Sequence, residues 1–274
     1  TGSVTLAGTN TYTGDTTLTN GTIRLGSDDA LGNAVSSYLL VTAGRLSSDG
    51  ATSRSLGNNI TMNGDLSLGS ATNTGRVTLA GGISLEGFNR TFTVDSVATI
   101  SGLLANGAIT KAGASTLTLT AANTYTGATT VNSGTVAVAD FGNGTDPSPL
   151  GTSALDNPAN LVIGGATLEF TGATNTSTAR SFTVAGTGTI AATGVGTLEF
   201  NSSSKINLTG ENPTLSLFAD NAGVNRLAST LADGSELIKT LNVDGTGQWV
   251  LGGAVNRFRG DVRVDVNVNG GTFG

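Results

Sequence analysis

The sequence predicts an all-β chain wound as a right-handed single-stranded parallel β-helix, a β-solenoid. Three observations carry that expectation. Gly, Thr, Asn and Ser dominate the 274 residues, with 41 Gly against only 4 Pro; these residues suit strands and turns and are poor in helix interiors. Apolar–polar–apolar triplets such as VTL, TTL and IRL recur between Gly or Asn, the alternation of a strand with one face in and one face out. The pattern also keeps a short beat: Leu6 to Leu25 is 19 residues, and so is Leu119 to Val138. Short strands returning on a beat near 20 residues are the signature of a solenoid rung.

Taken in order, GSVTLAG opens on a strand and NTYTG (10–14) turns it. TTL and TIRL follow on either side of Asn20-Gly21, and ALGNAVSSYLLVTAGRL (30–46) and RSLGNNITMNGDLSL (54–68) continue the triplets. STLTLTAANTYTGATTVNSGTVAV (115–138) then restates 2–25 at an offset of 113 residues. Apolar positions coincide (Val4/Leu117, Leu6/Leu119, Tyr12/Tyr125, Leu18/Val131, Ile23/Val136), and so do Gly14/Gly127 and Gly21/Gly134. PLGTSALDNPANLVIGGATL (149–168) restates 30–46, while RTFTVDSVATIS (90–101) and RSFTVAGTGTIAAT (180–193) restate 54–68. A looser third corner, NRFRG, occupies 256–260 with Phe258 in the Tyr slot. The organisation expected is one continuous β-helix segment over 1–274. Its long units run roughly 1–113, 114–246 and 247–274, the last partial. A β-sandwich competes, since Asn20-Gly21, Asn63-Gly64 and Asn106-Gly107 suit hairpin turns. A sandwich, however, does not return to the same apolar pattern at every turn.

Composition narrows the chemistry. Charged residues are 12%, half the usual ~25%, so the protein is not disordered by self-repulsion. A net charge of −6 argues against nucleic acid, which needs clustered Lys and Arg. With no Cys there is no disulfide framework or thiolate metal site, and with no His the commonest general base and metal ligand is missing. No apolar run reaches the ~18 residues of a membrane-spanning helix. The opening TGSVTLAG already reads as strand, without a basic-then-apolar leader; the expectation is a fragment or processed product.

At this point LTLTAANTYTGATTVNSGTVAV resembles the passenger-associated β-strand repeat of bacterial autotransporters: an LTL strand, an NTYTG corner, a TTV strand, then a G-T-L-like strand. Residues 3–25 and 115–138 match that pattern closely; the third copy is degenerate. The resemblance implies a β-helical passenger exported to the extracellular surface of a Gram-negative cell, with the family's membrane barrel outside these residues. It implies architecture and secretion rather than an activity. The expected function is a non-enzymatic segment of a secreted, surface-exposed protein, acting as stalk, adhesin scaffold or fibre subunit. The alternative is a β-helix protein that acts on or binds polysaccharide. Expected partners are a second copy, by end-to-end β-augmentation, or surface glycans and host surfaces. No cofactor or metal is expected.

The residues singled out are structural. Asn10, Tyr12 and Gly14, Asn123, Tyr125 and Gly127, and Asn256, Phe258 and Gly260 form the repeated corner: Asn bonds local backbone, Gly turns without a Cβ, the aromatic packs. In DVRVDVNVN, Val262, Val264, Val266 and Val268 share one face and make a candidate self-association edge. Catalytic readings are weaker. Glu169 and Glu199, in ATLEF and GTLEF, are candidates for one wall, but each alternates with inward Leu and Phe. Asp28-Asp29 and DFGNGTDPSPLG (140–151) are oxygen-rich loops without the spacing of a known Ca²⁺ motif. Arg259-Gly260-Asp261 spells a tripeptide whose Gly and Asp belong to the corner pattern.

Overall fold

A computed structural model describes residues 2–143, 146–201, 203–232, 240–252 and 272–273. Every strand pairing among them is parallel, and the fold is the right-handed parallel β-helix expected. The only helical element among the described residues is one 3-10 turn, Pro158–Asn160, capped by Asn157. The protein divides into two compact units, the first ending at Gly127 and the second starting at Ala128.

In the first unit three ladders take turns. The first runs Ser3–Leu6, Thr22–Leu25, Arg45–Ser48 and Leu66–Leu68, with Ser3 paired to Thr22, Thr22 to Arg45 and Arg45 to Ser67. The second runs Thr16–Leu18, Leu39–Val41, Ile60–Met62 and the start of Ile83–Val94. The third runs Arg54–Leu56, Val77–Leu79, Ala98–Ile100 and Thr116–Leu119. The triplets make this work. In LSL, VTL and ATI the outer two residues are buried and the middle one is half-exposed. Each inward residue therefore meets its equivalent one rung on: Leu39, Ile60, Ile83 and Leu104 form one column, and Leu56, Leu79, Ile100 and Leu119 another, all essentially buried. Each such residue contributes about 1.5–3 kcal/mol relative to exposure.

Corners interrupt the ladders, and there the backbone donors need other acceptors. Asp and Asn side chains supply them one rung away. Tyr38 N donates to Asp15 Oδ1, Gly82 N to Asn59 Oδ1 and Thr91 N to Asp65 Oδ1, each at 2.8 Å. In the second unit Ala179 N donates to Asn143 Oδ1 at 3.1 Å and Thr197 N to Asn175 Oδ1 at 3.0 Å. This is why the sequence can be rich in Asn while its strands are not.

The second unit repeats the scheme with larger side chains. Thr135–Val138, Ala166–Phe170, Phe182–Ala192, Lys205–Ala219 and Thr240–Gly245 form its longest ladder. Thr176–Thr178, Leu198–Phe200, Val224–Leu227 and Gln248–Leu251 form a second sheet. Phe141, Phe170, Phe182 and Phe200 meet between them at centroid distances of 5.0–6.2 Å, in edge-on or tilted pairs. Such aromatic pairs add stabilisation beyond their area.

Candidate functional site: the repeated corner

The first corner, Asn10–Gly14, joins Ser3–Leu6 to Thr16–Leu18. Asn10 N donates to Asp29 O, and its Nδ2 donates to Ala30 O at 2.8 Å. Asn33 N donates to Tyr12 O at 2.9 Å. The Tyr12 ring lies across Gly32, where a Cβ would sit 2.8 Å from Cδ2. The ring stays 40% exposed, and its hydroxyl shares a 2.8 Å hydrogen bond with Thr16 Oγ1. Around Gly14 there is open space. This copy leans on the following loop, 29–33.

The second corner, Asn123–Gly127, joins Thr116–Leu119 to Thr129–Val131. Here the preceding rung gives support. Asn123 is fully buried and its Oδ1 accepts from Leu104 N at 2.8 Å. Thr124 N donates to Leu104 O, and Gly127 N donates to Gly107 O at 2.9 Å. A Cβ at Gly127 would lie 2.6 Å from both Ala108 Cβ and Gly107 O, so only Gly fits. Tyr125 is fully buried. Neither Asn10 nor Asn123 adopts a left-handed backbone; among the described residues other than Gly, only Glu86 and Asn106 do. The third corner, with Asn256, Phe258 and Gly260, and the edge carrying Val262, Val264, Val266 and Val268 lie outside the described residues, as does Arg259-Gly260-Asp261.

The acidic candidates do not converge. Glu169 stands on the long ladder between Ala137 and Ala191 and accepts from Thr193 Oγ1 at 2.7 Å. Glu199 stands in the other sheet, beside Ser177 and Arg226, with Arg226 Nε 3.8 Å away. The shared wall is thus corrected: similar phrases fell on different sheets because their strands occupy different places in the rung. Leu168, Phe170, Leu198 and Phe200 all point inward, as the alternation requires.

The oxygen-rich loops are committed elsewhere. Asp28 Oδ1 accepts from Ser55 N, bracing the next rung. At 140–151 the centre of the loop is a cation, Arg180. Its Nε donates to Phe141 O at 3.0 Å, one terminal nitrogen to Ser153 Oγ at 2.9 Å, and the other to Gly151 O at 3.1 Å. Among the described residues no group of three or more acidic side chains is placed to hold a metal ion.

Two buried cations escaped the reading of the sequence. For Arg180 a signal existed. The phrases beginning at Arg54, Arg90 and Arg180 repeat, and each arginine donates Nε to a backbone carbonyl: Leu25 O, Leu85 O and Phe141 O. Lys111 takes the place that Leu66 and Phe92 hold in their column. Its Nζ donates to Ala112 O and Gly113 O, and burial lowers its pKa to about 8, against the charge of Asp95, which raises it.

The family description Passenger-associated-transport-repeat matches residues 1–25, 109–138 and 241–273, which are the three copies of the corner with their flanking strands. The protein is also 31% identical over 199 residues to "Adhesin BmaC autotransporter" of Brucella suis biovar 1 (strain 1330). That alignment takes in 72% of this chain but 6% of the adhesin, so it spans a small part of that relative. No solved structure matches.

Proposed function

We infer that this chain, an autotransporter passenger segment built on passenger-associated repeats, is a non-enzymatic scaffold that carries an adhesin away from the surface of a Gram-negative cell. The observation that carries this reading is the fate of the repeated motif. Its residues are spent on holding rung to rung: the Asn10 side chain on Ala30, the Asn123 side chain on Leu104, and the Gly127 backbone on Gly107. Among the described residues, none of them converges on a common point where a substrate would react. The acidic residues support the same reading, since Glu169 and Glu199 stand in separate sheets.

Within this reading the stalk is preferred to the fibre subunit. Inter-rung hydrogen bonds and stacked aliphatic columns give stiffness without any requirement for a second copy. Negative-stain microscopy of the purified protein tests it. Single slender particles support a stalk, whereas filaments that shorten on dilution would transfer the role to a self-assembling fibre. Release of reducing ends from acidic polysaccharides would overturn the non-enzymatic reading altogether.

A further inference from the structure

We propose that Asn20 is a site of spontaneous deamidation, which converts the bend before Gly21 to aspartate and isoaspartate while the fold protects Asn63 and Asn106. This reactivity does not depend on the scaffold function. Asn20, Asn63 and Asn106 each precede Gly, as Asn143 and Asn269 also do, and Gly hinders backbone attack least. The structure separates the first three by what each Gly nitrogen does.

Gly21 N points at its own neighbour: it donates to Asn20 Oδ1 at 2.7 Å. Asn20 Cγ, one bond beyond that oxygen, is held beside the same nitrogen. Asn20 is exposed and lines an open groove of about 330 Å³ with Gly21, Thr22 and Arg45, so water has access. Gly64 N is instead committed to Val41 O of the neighbouring rung at 3.0 Å. Gly107 lies within the strand Leu104–Ala112, paired with Phe88, and Asn106 before it is fixed in a left-handed conformation at φ 60°. Attack at either place must first part a backbone from the neighbouring rung.

The reaction balances without any oxidant. Gly21 N loses its proton to solvent base and bonds to Asn20 Cγ; the Cγ–Nδ2 bond breaks and ammonia leaves, taking up a proton. The resulting five-membered succinimide adds one water at either carbonyl and opens to aspartate or isoaspartate. The bend gains a negative charge and, as isoaspartate, one extra backbone carbon. It does so beside the bond from Thr22 N to Gly2 O, part of the pairing that ties Ser3–Leu6 to the next rung. The molecule contains its own control. Gly134, the counterpart of Gly21, makes the same left-handed bend (φ 66° against 87°), but Ser133 precedes it.

The test is peptide mapping by mass spectrometry, with enzymatic isoaspartate labelling, of the folded protein aged at mildly alkaline pH. The denatured protein, aged in parallel, sets the intrinsic rates. Conversion at Asn20 is expected to outpace Asn63 and Asn106 several-fold in the folded protein and to match them when denatured. Asn20→Ser, which copies the second repeat, is expected to remove the signal from the peptide that carries residue 20 and leave the circular dichroism unchanged. Equal rates at the three sites in the folded protein, or slower conversion at Asn20, overturns the proposal.

Discussion

The corners Asn10–Gly14 and Asn123–Gly127 are spelled alike, yet one holds an exposed tyrosine and the other a fully buried one. The contacts described for each corner differ as well. The first corner rests on residues 29–33, which follow it; the second is seated on Leu104–Ala108, which precede it. In a solenoid a motif specifies a bend, and the rung beside it decides what that bend is worth. Identical residues at matching places should therefore respond unequally to the same substitution.

The tyrosines give the widest separation. Tyr125→Ala removes a fully buried ring and is expected to cost about 3–5 kcal/mol, as aromatic truncations in cores do. Tyr12→Ala loses a half-exposed ring and one surface hydroxyl bond, and is expected to cost about 1 kcal/mol or less. Urea midpoints read at constant slope compare them. Equal costs would mean that the corner, rather than the rung beneath, sets the energy.

The glycines should diverge as well. Gly127→Ala forces a methyl against Ala108 and Gly107 and is expected to destabilise by about 1–3 kcal/mol. Gly14→Ala meets open space at a backbone free of left-handed strain. It is expected to be neutral or to stabilise by up to about 1 kcal/mol, through the lower entropy of the unfolded state. The thermal midpoints of the two variants should move in opposite directions or at least diverge. The asparagines come next. Asn123→Ala orphans a buried donor, Leu104 N, at a cost of about 1–3 kcal/mol. Asn10→Ala loses one partly buried bond to Ala30 O, about 0.5–1.5 kcal/mol. Hydrogen exchange at the Leu104 amide should accelerate in Asn123→Ala alone.

The contrast also marks what the sequence could show. The period-two triplets and the 19-residue beat were enough for the β-helix, because burial in a strand depends on its own alternation. The corners were legible as corners for the same reason. Which corner is buried was not, since the deciding residues, Leu104–Ala108 and 29–33, lie about a rung away and only the register brings them alongside. Glu169 and Glu199 illustrate the limit from the other side: alike within five residues, they stand in different sheets. Arg180 was readable in principle, because Arg54 and Arg90 repeat its phrase and its way of bonding.

Lys111 offers the finest test, because it lies on the strand Leu104–Ala112 that seats the second corner. Its pKa in the fold, about 8, is below the 10.5 of a free lysine, primarily because burial disfavours the charge. Between those two values the unfolded state binds more protons than the folded one, so stability rises with pH across that window. Below pH 8 both states are charged and the cost of burying the ammonium is constant. Above about 10.5 both are neutral and the gain is complete. Allowing for solvent screening, the rise attributable to this group is about 1–2 kcal/mol. Lys111→Met cannot titrate, so the stability of the native protein relative to this variant should climb between pH 8 and 10 and stay level between pH 6 and 7.5. The same climb should slow hydrogen exchange at Gly127 N and leave Asn10 N unchanged, since only the second corner stands on that strand. A pH-independent difference between native protein and variant would show that the ammonium is fully compensated by the carbonyls of Ala112 and Gly113.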